Sequence, residues 1–294
     1  MMREDYLQRL VFEDIHARCV WVQLDAASQQ VLARGDYPPA VADQLARALL
    51  MAAILSSGIK FEGRVSMQLQ SRGELSLLLA DCDESGGIRG IARIEEGAEL
   101  PADARDLFRS LAADGTLALT VEPTRHGQRW QGIVPLEGDT LEQALEAYFR
   151  RSEQLPTRLR LAFDGQRCSA LMLQKMPGED EDADGWNRLQ HLVETLSEEE
   201  MLNSDGAQVL RRLFHAETRR AFPARPLRFH CPCTRDRVAS VLCSLGVDEL
   251  RGLAAAQDHV DVRCEFCNES YRFDQVDLAG LIQGQEPDDS PTVH

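Results

Sequence analysis

Two tight cysteine pairs near the C-terminus, Cys231-Pro232-Cys233 and Cys264-Glu265-Phe266-Cys267, constrain this chain more than any other feature. Pairs separated by about thirty residues can bring four thiolates to one tetrahedral zinc, although the first pair is one residue tighter than the usual ribbon spacing. Four sulfurs fill the coordination shell, so no position is left for a catalytic water. The expectation is one structural Zn2+ per chain, ligated by Cys231, Cys233, Cys264 and Cys267. His230 and His259 are reserve ligands only, since four cysteines already suffice.

Zinc keeps its sulfurs deprotonated, and the thiolate is the form that oxidants attack. Cysteines this close in sequence can place their Cα atoms within the roughly 4.4–6.8 Å that a disulfide needs, so oxidation can close Cys231–Cys233 and Cys264–Cys267 and expel the metal. A small zinc domain would unfold with that loss, because its metal-binding free energy is largely its folding free energy. The same spacing equally suits a static zinc clip with no redox role.

The remaining cysteines, Cys19, Cys82, Cys168 and Cys243, lie outside the paired motif. The first three sit in or beside apolar stretches and read as buried thiols. Cys243 is expected to pack inside the zinc domain, with access to mixed disulfides once that domain opens. The N-terminus, Met1-Met2-Arg3-Glu4-Asp5-Tyr6, carries acids where a signal peptide would be basic, which predicts a cytoplasmic protein with reduced thiols at rest. The longest apolar run, Ala48 to Leu55, is too short to span a bilayer, so no membrane partner is expected. A formal net charge of −16 argues against nucleic acid, the usual partner of a zinc ribbon.

Along the chain, Cys19 to Leu24 reads as a strand, with turn chemistry near Gly35-Asp36. Pro38-Pro39 starts a helix in which Val41, Leu45, Leu49 and Ala52 repeat until Ser56-Ser57-Gly58, and its Ala/Leu/Met content predicts burial against a sheet. Val65, Met67 and Leu69 alternate as a strand, Arg72-Gly73 turns, and Leu75 to Ala80 returns. A second strand pair, Ile88 to Ile94 and Leu117 to Glu122, flanks a short helix from Asp103 to Ala112, and Gln131 to Leu136 pairs back through a turn around His126-Gly127. Thr140 opens a helix with the stripe Leu141, Leu145 and Tyr148 or Phe149, and Leu159 to Phe163 and Cys168 to Leu173 close a hairpin around Asp164-Gly165. Grouped strands with interspersed helices make an α+β core, residues 1–178. No phosphate loop, nucleophile elbow or zinc-protease motif appears, and Glu95-Glu96 and Glu137/Asp139 read as turn and cap residues, so an enzyme is not expected.

After Pro177-Gly178 an acidic run marks a linker, residues 179–230. Trp186, Leu189, Val193 and Leu196 form one helical stripe, Ser197-x-x-Glu200 caps a second helix, and Asp205 starts a third bearing Val209, Leu210, Leu213 and Phe214. Such helices are marginal alone, and read either as an ordinary connector or as a metastable element held folded by the zinc domain, residues 231–294. Once open, Trp186, Leu189, Val193, Leu196, Leu210 and Phe214 are the candidate client-binding residues.

The assembled residues resemble the 33 kDa chaperonin family, the redox-regulated heat-shock holdases of bacteria. The resemblance rests on Phe229-His230-Cys231-Pro232-Cys233, Leu245-Gly246, and Val262-Arg263-Cys264-Glu265-Phe266-Cys267-Asn268 followed by Tyr271 and Phe273. In the core it rests on Phe61-Glu62-Gly63-Arg64, Gln131-Gly132-Ile133-Val134, and Glu137-Gly138-Asp139-Thr140-Leu141 through Tyr148-Phe149 to Arg151-Ser152-Glu153-Gln154-Leu155-Pro156-Thr157. It implies a chaperone that works without ATP under oxidative stress, kept inactive by zinc on the four cysteines. Oxidation then forms Cys231–Cys233 and Cys264–Cys267, releases zinc, unfolds the linker and exposes a surface for unfolded client proteins. Family members form a homodimer when active. Cys243 and the acidic start of the linker are this chain's departures from the family pattern. The competing classes are a thiol-disulfide oxidoreductase using Cys264 and Cys267, and a constitutive binding module with inert zinc.

Overall fold

The computed structural model describes residues 4–58, 62–124, 128–179 and 181–284. The chain divides between His230 and Cys231 into two compact units. The first opens with strands β1 (Tyr6–Phe12) and β2 (Ala17–Leu24), helix α1 (Ala26–Leu32) and the long helix α2 (Pro39–Ser56). Strands β3 (Gly63–Gln70), β4 (Leu75–Asp83) and β5 (Gly87–Ile94) follow, then α3 (Ala104–Ala112), β6 (Thr116–Pro123) and β7 (Trp130–Pro135). Helix α4 (Leu141–Tyr148) runs into a π-helical turn, Phe149–Glu153, before the hairpin β8 (Thr157–Phe163) and β9 (Cys168–Lys175). Helices α5 (Gly185–Glu194), α6 (Glu198–Asn203) and α7 (Gly206–Leu213) come next, and three two-residue strands, β10 (Arg220–Ala221), β11 (Arg225–Pro226) and β12 (Arg228–Phe229), end the unit.

Among the described residues these strands form two sheets. One runs β10-β1-β2-β9-β8, with β11 also on β1, and the other runs β12-β5-β4-β3-β6-β7. Helix α2 lies between them. Its Leu45, Leu49, Leu50 and Met51 share one cluster with Val20 and Val22 of the first sheet and with Met67 and Leu78 of the second. Burial on nearly every side is what its unbroken apolar content predicts. It is long and apolar enough to cross a membrane, but its surface packs inside the protein instead.

The first sheet is buried on both faces. Residues on β2 alternate between them: Val20, Val22 and Leu24 join the α2 cluster, while Cys19 and Trp21 join a second cluster under α5, α6 and α7. Strand β9 does the same with Ala170 and Met172 against Leu171 and Leu173. The second layer is locked by shape at one point: a Cβ on Gly206, at the start of α7, would lie 2.0 Å from Trp21 Nε1. The Gly206 amide instead donates to buried Gln23 Oε1 at 3.3 Å.

The predicted strands and helices from residue 39 to residue 173 are present, but their order corrects one expectation. Strands β5 and β6 are not partners, because the β3–β4 hairpin stands between them: β5 pairs with β4, and β6 with β3 and β7. The turn expected around His126-Gly127 and the core residue Phe61 lie outside the described residues. Strand β1, helix α1 and the strands β10–β12 were not predicted by periodicity. The segment 179–230 packs within the first unit, with apolar residues of the α5–α7 layer, such as Leu189, Val193, Leu210 and Phe214, buried on the first sheet.

The second unit holds α8 (Arg235–Ser244), α9 (Val247–Ala256), the hairpin β13 (His259–Arg263) and β14 (Ser270–Asp274), and α10 (Gln275–Gln283). Its buried core is Val238, Leu242, Leu250, Phe273 and Leu278. Mixed sheets and helices place the whole chain in the α+β class.

Candidate metal and redox centre

Each cysteine pair is shaped by its own local structure. Cys231 and Cys233 lead into α8, whose first turn is capped by Thr234 Oγ1 accepting from the Arg237 amide at 3.2 Å. The Arg237 side chain returns to the Pro232 carbonyl at 2.9 Å, fixing the residue between the two sulfurs. Cys264 follows β13 in a tight turn: its amide donates to Glu269 O at 2.9 Å, and the Asn268 amide donates to Cys264 O at 2.8 Å. Asn268 closes that turn at φ 62°, a left-handed conformation that asparagine tolerates better than most side chains. The turn puts Cys264 and Cys267 on the same side.

All four sulfurs lie within 4.8 Å of one another. Cys231 Sγ is 3.7 Å from Cys264 Sγ, and Cys233 Sγ is 3.1 Å from Cys267 Sγ. A tetrahedron with zinc–sulfur bonds of about 2.3 Å has edges of about 3.8 Å, so a small adjustment fits the cluster to that ion. The donor set of four soft sulfurs also suits zinc better than magnesium or calcium. Burial and then the neighbouring Cys233 push the Cys267 thiol up from its ordinary value. A divalent cation reverses that penalty, since it lets adjacent sulfurs ionise together.

Tyr271, on β14, donates its hydroxyl to Cys233 Sγ at 3.3 Å; the sequence marks Tyr271 as part of the family motif but not as a partner of the sulfurs. Arg235 ties the unit together around the cluster: it donates to Arg272 O and to Asp277 Oδ2, both at 2.6 Å, and lies 4.4 Å from the Phe273 ring centre. His259 stands at the exposed outer end of β13 beside Asp261, and the His230 amide donates to Ile88 O in the first unit, so neither histidine joins the four sulfurs.

Cys243 is half-buried on α8 and outside the cluster, while Cys19, Cys82 and Cys168 are buried in the first unit. Burial raises the Cys19 thiol strongly and the Cys82 thiol to about 11, which keeps both protonated and unreactive. Cys264 and Cys267 span a turn between two strands rather than the N-terminus of a helix, the position a thiol oxidoreductase uses.

The structure also brings together the six candidate client-binding residues. Leu189, Val193, Leu196, Leu210 and Phe214 are buried in the cluster on the first sheet, and Trp186 packs at its margin. The sheet side of that contact, Leu10, Phe12, Trp21, Leu171 and Leu173, was not read from the sequence as part of any site. Phe12 and Phe214 meet edge to face, with ring centres 5.0 Å apart. The nearly continuous apolar content of Cys19–Leu24 and Cys168–Leu173 is the signal that this sheet needs a cover on both faces.

The family model described as Hsp33 protein matches residues 5–274. The chain is 40% identical over 286 residues to the 33 kDa chaperonin of Pseudomonas fluorescens (strain Pf0-1), covering 95% of this chain and 94% of that protein. It is 43% identical to the 33 kDa chaperonin of Ectopseudomonas mendocina (strain ymp), covering 95% and 96%. The crystal structure of the 33 kDa chaperonin from Thermotoga maritima shares the fold, with a TM-score of 0.81 at 18% identity over 96% of this chain and 99% of the other. The chain belongs to the Hsp33 protein family.

Proposed function

We propose that this protein is a redox-regulated chaperone of the cytoplasm that holds unfolding proteins without ATP and is not an enzyme. The carrying observation is the cluster of four sulfurs within 4.8 Å, whose donors fit one zinc ion in the reduced chain. Bound there, zinc would supply the charge that keeps Cys231, Cys233, Cys264 and Cys267 deprotonated. Hypochlorite would take two electrons from each near-neighbour pair: two thiolates and one HOCl give one disulfide, chloride and hydroxide. With Cys231–Cys233 and Cys264–Cys267 formed, no thiolate donors remain for the metal, and the small unit loses what holds it folded.

Three domains describe that cycle: a core at 1–178, a metastable linker at 179–230 and a redox-switch zinc domain at 231–294. The linker has no cysteine of its own, so it responds to the fold of the chain that continues from Cys231. Its opening would uncover both sides of the contact that holds α5–α7 on the first sheet. Trp186, Leu189, Val193, Leu196, Leu210 and Phe214 would face solvent on one side, and Phe12, Trp21, Leu171 and Leu173 on the other. That surface suits exposed apolar client segments, the surrounding acids limit self-association, and the active form is a homodimer.

The deciding experiment measures suppression of client aggregation, and turnover of a small disulfide, before and after hypochlorite treatment. Gain of holding without turnover supports the chaperone. Turnover would mean a thiol oxidoreductase, and equal holding in both states would mean a constitutive binder. Peptide mapping that found Cys243 in the main disulfide would overturn the pairing.

A further inference from the structure

A groove of about 420 Å³ runs beside β1, β2 and β10 in the first unit, and three arginines line it. Register explains why they converge. Val11 pairs with Arg18 on one side and with Arg220 on the other, and residues directly opposite in an antiparallel sheet share a face. Arg9, two residues before Val11, lies on that face too. Phe222 donates its amide to Arg9 O at 3.0 Å, and its ring centre is 4.9 Å from the Arg9 guanidinium and 5.1 Å from that of Arg220.

The charges in this groove do not balance. Glu13 pairs with Arg220 at 2.8 Å. Among the described residues Arg9 and Arg18 have no carboxylate partner, and Arg18 gives its Nε and Nη2 to the neutral Gln174 Oε1 at 3.0 and 2.6 Å. Among the described residues Glu13 is the only acid lining this groove, leaving it with a charge of about +2 in a protein of −16. Burial, and then the neighbouring Arg9, pull the Arg18 guanidinium below its ordinary value. Arg9 and Arg220 are exposed but Arg18 is half-buried, and a half-buried cation is ordinarily paired, so Arg18 lacks a counter-charge.

We propose that this groove binds a small phosphorylated molecule, with the phosphoryl dianion between Arg9 and Arg18 and its apolar part against Met176 and Phe222. Two guanidinium forks match the oxygens of a phosphoryl group in charge and geometry. Because Arg220 and Phe222 belong to the segment 179–230, a bound ligand also holds that segment to β1. This last consequence rests on the proposed function, whereas the binding does not.

The test is a calorimetric titration of the full-length reduced chain with phenyl phosphate and with inorganic phosphate at fixed low ionic strength. Phenyl phosphate is expected to bind with one-to-one stoichiometry and more tightly than phosphate. Arg9→Gln and Arg18→Gln should each weaken it roughly 10- to 100-fold, the loss typical of one charge-assisted contact. Arg9→Lys, which keeps the charge but not the fork, should fall between, and Arg109→Gln, on α3, should change nothing. An unchanged urea midpoint shows that each variant folds. No saturable binding by the parent chain, or equal affinity in folded Arg9→Gln and Arg18→Gln, overturns the site. Ligand at 100 times its Kd should slow exchange of the Phe222 amide by about 100-fold. Binding with unchanged exchange there confirms the site and removes its link to the opening of the segment.

Discussion

The two compact units bury their apolar residues very differently. In the first, an 18-residue helix lies between two sheets and a further helical layer covers the outer face of one of them. Among its described residues the second buries only Val238, Leu242, Leu250, Phe273 and Leu278, and leaves Val241, Leu245 and Val276 more than half exposed. At about 1.5–3 kcal/mol per buried aliphatic or aromatic side chain, five such residues cannot fix a unit of this length against its chain entropy. A structural zinc site contributes roughly 10–16 kcal/mol in small domains. On the proposed reading, stability in the second unit resides in a metal on four sulfurs that an oxidant can release, whereas the first unit rests on its buried core.

Metal removal should produce the largest effect and would break the comparison most directly. A chelator, or Cys264→Ser, is expected to abolish amide protection across β13, β14 and α10 while β3 to β6 keep theirs. Hydrogen exchange with mass spectrometry reads both at once. Protection of the β13–β14 hairpin that survives without metal would mean that the small core suffices by itself.

The α5–α7 layer stands between these extremes, and Gly206→Ala tests how tightly it is set. Alanine gains up to about 1 kcal/mol over glycine in helix propensity. Its Cβ, however, would meet the Trp21 indole at 2.0 Å, and Trp21 is fully buried and unable to move aside. The clash wins, and the layer should loosen by about 1–3 kcal/mol, as overpacked sites do. Faster exchange in α7 and client holding without oxidant are the expected readouts. A stabilised α7 would show that the layer already floats on the sheet.

A smaller loosening is expected from Arg188→Ala. Arg188 on α5 donates to Asp182 at 2.6 Å and, with two nitrogens, to Glu217 at 2.8 and 2.9 Å, so it joins the beginning of the segment to the turn after α7. The Glu217 carboxylate is almost fully buried and would lose this guanidinium. Adding Glu217→Gln should recover part of the loss, and a double-mutant cycle on α5 exchange rates measures the coupling. Additive effects would reduce the pair to a surface contact.

Much of this contrast can be read in the sequence, and what cannot has physical reasons. Helix α2, strands β3 to β9 and the four sulfurs announce themselves through period, turn residues and spacing, all local quantities. Strands β10, β11 and β12 have two residues each, rich in arginine and proline, and exist only because β1 and β5 offer open edges. No window of sequence carries that information. The same holds for the sheet order, in which the β3–β4 hairpin separates the consecutive strands β5 and β6, and for Tyr271, whose contact with Cys233 closes only when the β13–β14 hairpin meets the start of α8. The weak stripes of α5–α7 look marginal because their partner face on the first sheet lies more than a hundred residues away for β1 and β2.

The smallest effect concerns the β8–β9 turn, which belongs wholly to the first unit. Partial burial pushes the Asp164 carboxyl up, but the Arg167 and Gln166 amides and the Arg167 guanidinium outweigh it and hold the group below its ordinary 3.8. In the window below that value the unfolded chain binds the proton more readily than the folded one, so stability rises with pH there. Asp164 therefore contributes its full share above about pH 4, and that share is lost as pH falls through the depressed folded value. Asn at this position can still accept the two amides, at 2.7 and 3.0 Å in the parent, but it carries no charge for Arg167. Asp164→Asn should lower the urea midpoint slightly at pH 7, and the gap from the parent should narrow as the pH is taken down below 3.8. Tryptophan emission suits the measurement, because Trp21, Trp130 and Trp186 all lie in the first unit and loss of the sulfur-bound metal in acid is not read directly. A gap that stayed constant as the pH fell would mean that the aspartate acts through shape and that this turn is insensitive to its ionisation.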